Sequence, residues 1–309
     1  MMMAAVGAAV MVAATVGEAA ACDRARSPMA TRAVAVAVAD VVVSGVVAKV
    51  EGDLATVTIV EAFKGGGKGT AVGDTITIRG VTAAGLGRDC GVHSIAAGGR
   101  HVFSLWSPAG AVRELRLVDA MGGVEDVGPS SAADYAAAVT TQHPHSPWST
   151  SGDVQAQLVL NPEPSNAGDV DLVLVVRNVG ARPLAWKYRT WPLASQSRCS
   201  LDVVETSSGR RVAAQPVPIA KKDIRTYFAK HGPRYDLTLA PGDSYLLLLD
   251  AVTTARPGWG YKERTGFAFY PVRAAGPHTL AATCVNLFGR GTRTTTAAIA
   301  LTLTPAAAP

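Results

Sequence analysis

The four cysteines are the residues whose types and placement carry the most chemistry. Cys22 follows Ala19-Ala20-Ala21 at the end of an apolar N-terminal run, and Cys90, Cys199 and Cys284 are spread through the rest of the chain. A signal peptidase cutting after a small-residue triplet would make Cys22 the first residue of the mature protein. There it can anchor a disulfide that fixes a free α-amino group, or accept a lipid. Either outcome takes the protein out of the cytoplasm, to the cell envelope or beyond it. No two cysteines share a C-x-x-C spacing, so no thiolate metal site is expected. In an exported chain four cysteines point to disulfides, and three pairings are possible. Pairing within each half would close loops of about 70 and 85 residues, worth roughly 4 kcal/mol each in the chain-entropy model.

The other reactive residues argue against catalysis. Of six histidines, only His143 and His145 lie close together, in Thr141-Gln142-His143-Pro144-His145-Ser146, and no carboxylate is near. That stretch reads as a solvated linker. His101 and His278 sit at strand positions and are expected to be structural. No serine occupies a G-x-S-x-G context. Lys64-Gly65-Gly66-Gly67-Lys68-Gly69-Thr70 lacks the phosphate-loop spacing and joins two strands, which makes it a hairpin turn. No enzyme activity, cofactor or metal is expected.

Residues 1–17 are almost wholly Ala, Val, Met and Gly, too few to span a bilayer, and 1–21 is expected to be a removed signal peptide. About 288 residues then remain, enough for two domains of ordinary size. The formal charge of +5 comes from scattered Lys and Arg with no aromatic interleaving, so nucleic acid is not an expected partner. A membrane is expected as a partner only if Cys22 is lipidated.

Period-2 alternation with β-branched residues dominates what must position these groups. Val57, Ile59 and Phe63 are expected on one face of a strand over 53–64, and Ile76 and Ile78 on one face of the next. Val41 to Val50 is apolar on both faces, as in a strand curled into a small barrel. Further strands are expected at 101–106 and 112–118, with short helices around 29–39 and 131–140. After the linker, Val154, Ala156, Leu158 and Leu160 share a face, as do Val170, Leu172, Leu174 and Val176. With the later ones, the region holds seven or more short strands separated by turns, which argues for a two-sheet sandwich.

The first half also carries a family pattern. Ala39-Asp40-Val41-Val42-Val43-Ser44-Gly45 is followed by Phe63-Lys64-Gly65, then Cys90-Gly91, then Gly99-Arg100-His101-Val102-Phe103. With Cys22 leading, this resembles the netrin-like domain of the tissue-inhibitor-of-metalloproteinases superfamily over residues 22–120. The resemblance implies an OB-like five-stranded barrel. It also implies that Cys22 is bridged to Cys90 and chelates the zinc of a metalloprotease through its amino and carbonyl groups, with the Asp23 side chain entering the specificity pocket. Zinc chelation of this kind needs an open coordination position on the target. The chain departs from the inhibitors in lacking their Cys-x-Cys start, and Asp23 is acidic where a small or apolar residue is usual.

The second half is more loosely similar to the sandwich pro-region of deuterolysin-type metallopeptidases. The residues that carry this are Arg177-Asn178-Val179-Gly180, Leu239-Ala240-Pro241-Gly242-Asp243-Ser244 and Ala275-Gly276-Pro277-His278-Thr279. No HExxH motif follows, so no peptidase is attached. The expectation is an all-β protein: signal peptide 1–21, OB-like barrel 22–122, helix and linker 123–153, and Ig-like sandwich 154–305. Trp259 and Tyr261, in a Gly/Pro-rich loop, are candidate interface residues, and Cys199 and Cys284 a candidate bridge. The expected function is binding of a protein partner outside the cell, with a zinc metalloprotease as the concrete target. The alternative is a structural or adhesion module of the cell envelope.

Overall fold

Residues 41–64 form a long antiparallel hairpin that begins a closed barrel. In this computed structural model, which describes residues 32–67, 69–81, 95–107, 114–118, 124–126, 131–140, 143–161, 169–189, 199–216, 234–249, 252–253, 268–288 and 291–303, a short helix α1 (Arg32–Val38) leads into β1 (Val41–Glu51). The strands β2 (Leu54–Lys64), β3 (Thr75–Arg79), β4 (Arg100–Trp106), β5 (Leu115–Leu117) and β6 (Val124–Asp126) follow. Their order is β1-β2-β3-β5-β4, and β4 pairs back onto β1, which closes a five-stranded OB-like barrel. β3 and β5 run parallel, and β6 adds to β4 outside the closed ring.

The barrel closes because β1 is bent. Its pairing with β2 shifts register at three places, and each bulge sharpens the local twist. Gly45 lies where a Cβ would strike Val57 and stand 2.8 Å from the Thr58 carbonyl oxygen. Val43, Val47, Ala55, Val57, Ile59, Ile76, Ile78, Phe103, Leu105 and Leu115 fill the interior. One expectation needs correction here. Phe63 does not share the face of Val57 and Ile59. Gly45 faces Ile59 and Ser44 faces Glu61, so Val60 is an extra residue that inverts the alternation. Phe63 therefore points out of the barrel and stacks on Tyr135, with ring centroids 5.7 Å apart.

A second helix, α2 (Ser131–Thr140), leads toward β7 (Ser149–Ser151), β8 (Val154–Asn161), β9 (Asp169–Asn178) and β10 (Leu184–Arg189). Next come β11 (Cys199–Glu205), β12 (Gln215–Pro216), β13 (Arg234–Leu239), β14 (Ser244–Leu248), β15 (Val252–Thr253) and β16 (Ala268–Pro271). The last strands are β17 (Gly276–Val285), β18 (Arg293–Thr295) and β19 (Ile299–Leu303). One sheet is built on β7-β8-β9 with β14 and β15 on the other edge of β9. The second places β17 between β11 and the pair β18 and β19. Leu158, Leu172, Leu174, Leu201, Val203, Tyr245, Leu280 and Ile299 pack between these sheets, as in an Ig-like sandwich. β10 and β13 form a separate two-stranded ribbon.

The stretch after α2 is not a solvated linker. His145 bridges to Val159, Pro144 accepts from the Leu160 amide at 3.0 Å, and the Ser146 amide donates to Leu158 at 2.8 Å. Ser146 is fully buried, and its hydroxyl accepts from the Leu158 amide at 2.9 Å. The segment lies along the edge of β8, where its backbone groups find partners that a polar composition does not announce.

Candidate functional site

The residues expected to act directly fall into two groups. Cys22, Asp23, Cys90, Trp259 and Tyr261 lie outside the described residues. Cys199 and Cys284 are brought together: they face each other across β11 and β17 and form a disulfide that closes 85 residues. Both are buried in the sandwich core, so this bridge is structural. Among the described residues no group of three His, Cys, Asp or Glu side chains is arranged to hold a metal. None of the described helices is long and apolar enough to cross a membrane.

Helix α1 opens the described residues, and the side chains gathered round it form a polar arrangement buried between barrel and sandwich. After Arg32 its sequence, Ala-Val-Ala-Val-Ala-Val, is apolar all round, which demands burial on every side. Ala33, Val34, Ala35, Val36 and Val38 are buried. The helix packs against α2, against β8 of the sandwich and against β4 of the barrel. The core around it draws Val42, Val102, Trp106 and Val118 from the barrel side and Val159, Val173, Val175 and Leu246 from the sandwich.

Arg177 lies in this junction. On β9, Leu172, Leu174 and Val176 face the sandwich core, so Val173, Val175 and Arg177 face the barrel. The Arg177 guanidinium carbon sits 4.1 Å from the centroid of Trp106 and 4.2 Å from that of Trp148, between two indole faces. Its Nη2 donates to the Val38 carbonyl at 3.2 Å. Its Nε has no acceptor among the described residues, and the guanidinium rests against two π faces and one carbonyl. Burial pulls the Arg177 pKa down to about 10, opposed by nearby Asp40, and the group stays cationic at neutral pH. Lys64 approaches from the barrel, where its Nζ donates to Val36 at 2.9 Å and to Ala37 at 3.3 Å. Burial lowers its pKa too, again against Asp40. The Asp40 carboxylate accepts from the Ser107 amide at 3.0 Å and fixes the turn into β1.

A second clamp joins the halves nearby. Arg116 donates to Asp243 at 2.7 Å, and the Ser244 hydroxyl donates to the Val118 carbonyl at 2.6 Å. Gly242, at φ +88°, leaves room for the Arg116 guanidinium, whose Nε would stand 2.5 Å from any Cβ there.

From the sequence, Arg177 and Lys64 stood out only as motif residues, and neither they nor Trp106 and Trp148 were assigned a site role. One usable signal was the run Val173-Leu174-Val175-Val176-Arg177, apolar on both faces and then ended by a cation. A sheet buried on both faces reads as such a run.

Fold and junction together define a class: an all-β protein in which an OB-like barrel and an Ig-like sandwich share a core through two short helices. No protein-family model matches the chain, and no curated protein matches it by sequence.

Proposed function

We propose that the chain is an exported, non-catalytic protein-binding protein, and that it inhibits a zinc metalloprotease through Cys22 as its mature N-terminal residue. The barrel supports this most directly. The motifs around Asp40, Phe63, Cys90 and Gly99 resemble those of netrin-like inhibitors, whose barrel has five strands, and the described strands close in the order β1-β2-β3-β5-β4. The leader-like run ending at Ala21 supplies the free amine that such a mechanism needs. Catalytic zinc with an open coordination position would accept that amine and the Cys22 carbonyl. A Cys22–Cys90 bridge would hold them rigid, which limits the entropy lost on binding.

Two measurements on the secreted protein test this. Intact mass is expected to correspond to a chain beginning at unmodified Cys22. Assay against a panel of extracellular metalloproteases is expected to show inhibition that disappears when one alanine is inserted before Cys22. A mass increase equal to acyl chains would overturn the reading and favour an envelope lipoprotein with a structural or adhesive role. Inhibition unaffected by the extra alanine would exclude chelation by the N-terminus.

A further inference from the structure

Three consecutive carbonyls end helix α1, and cations from opposite halves of the fold hold them. Lys64 of the barrel takes those of Val36 and Ala37, and Arg177 of the sandwich takes that of Val38. The last carbonyls of a helix lack intrahelical partners and carry the negative end of its dipole, so cations belong there. What is unusual is the division of labour. Neither half of the protein caps this helix alone.

The helix cannot stand without them. It has seven residues, three of them β-branched, and helices shorter than about 12 residues are marginal in water even with better formers. Its surroundings are equally divided, because the core that buries it takes four side chains from the barrel side and four from the sandwich. With the halves apart, Val159, Val173, Val175 and Leu246 would form an exposed apolar face, which soluble domains avoid. Interfaces between freely moving domains are small and polar. This one contains a cation only 6% exposed, stacked between Trp106 of β4 and Trp148 ahead of β7.

We propose that α1, Lys64 and Arg177 form an interdomain latch: the helix exists only when barrel and sandwich are docked, and the docked halves then unfold as one body. Arg177 is its central positioning residue. It reaches the helix end from the sandwich while filling the slot between two indoles, so separation would break the cap and both stacks in one step. The proposal stands apart from the inhibitor reading, and its readouts require no protease.

The test uses the full chain in calorimetry and in hydrogen exchange followed by mass spectrometry. Wild type is expected to melt in a single two-state transition, with peptide 32–38 exchanging only through global opening. In Arg177→Met and in Lys64→Met, exchange of that peptide should rise about tenfold or more while the β11 and β17 peptides keep their protection. Arg177→Lys should recover only part of the loss, since an ammonium cannot stack flat between two rings. Should Arg177→Met not fold, Trp148→Ala removes one indole from a partly buried position at the rim of the junction core and must speed the same peptide. Two resolved transitions in wild type, or an α1 peptide unmoved in the variants that fold, would overturn the latch.

Discussion

Arg116 of β5 and Asp243, 127 residues later in the turn before β14, form a 2.7 Å ion pair that crosses from barrel to sandwich. Both side chains are largely buried, so the pair sits between a surface bridge of little worth and a costly interior one. Burial pushes the Asp243 carboxyl above the ordinary carboxylate range, although the Ala240 amide and Arg116 draw it down. An acid whose pKa is raised on folding binds its proton more tightly in the native state. Its stabilising share is complete below the unfolded pKa and disappears as pH rises through the folded one. Asp243→Asn does not titrate, so its stability relative to wild type should improve as pH is raised from about 3 to 6. Asp243→Ala removes both acceptors and should destabilise by about 1–3 kcal/mol at neutral pH. Urea unfolding at several pH values checks both. A flat difference between wild type and Asp243→Asn would show that desolvation does not dominate.

Leu246 and Leu158 belong to different cores of the same sheet. Leu158 packs between the two sheets of the sandwich, and Leu246 packs against the barrel. Both are fully buried. Leu158→Ala and Leu246→Ala should therefore each cost about 2–5 kcal/mol, in one transition. If the junction were a loose contact, Leu246→Ala would have almost no effect on the denaturation midpoint.

Cys199 and Cys284 oppose each other in register at the start of β11 and near the end of β17. Their bridge closes an 85-residue separation, for which the chain-entropy model gives about 4.5 kcal/mol. A double Cys199→Ala, Cys284→Ala variant should lose roughly that much in chemical denaturation, with barrel and sandwich still unfolding in one transition. Non-reducing peptide mapping should return a Cys199–Cys284 peptide, and a Cys22–Cys90 peptide if the proposed N-terminal clamp forms. A Cys90–Cys199 link would contradict both.

The alternation of Ile76 with Ile78, and of Leu172 with Leu174, was enough to place these residues in their cores, because a strand's side-chain period is fixed at two. Phe63 was not legible in that way, since the bulge at Val60 shifts the phase and nothing local in Ile59-Val60-Glu61 announces it. The second apolar face of β8, β9 and β14 was written in Val159, Val173, Val175 and Leu246, but one face of such a run hides the other. Arg177 ends the run like an ordinary solvated cation. Its slot is made by Trp106 and Trp148, 71 and 29 residues earlier, and such distant neighbours leave no trace in spacing. Four cysteines allow three pairings, and only the register of β11 against β17 selects the one at Cys199.

Gly65 shows how sharply the backbone can decide a position within a glycine run. It has φ +68°, and a Cβ there would run into the Asp40 carbonyl oxygen and stand 3.1 Å from the Val41 side chain. Gly67, two residues on, has nothing within 4 Å of a Cβ. Thr70 closes the turn between them, accepting from the Gly67 amide at 3.0 Å and donating to the Gly65 carbonyl at 2.7 Å. Left-handed backbone costs an L-residue roughly 1–2 kcal/mol, and the collision with Asp40 adds to it, because Asp40 is fixed by its own hydrogen bond to Leu105 at 2.8 Å. Gly65→Ala should therefore destabilise by about 2 kcal/mol or more, and Gly67→Ala should stay within about 0.5 kcal/mol of wild type. The strain in Gly65→Ala falls between α1 and β1, so its hydrogen exchange should quicken first at residues 39–44 and at the start of the helix latch. Equal stability for the two variants would mean that the turn is free to shift away from Asp40.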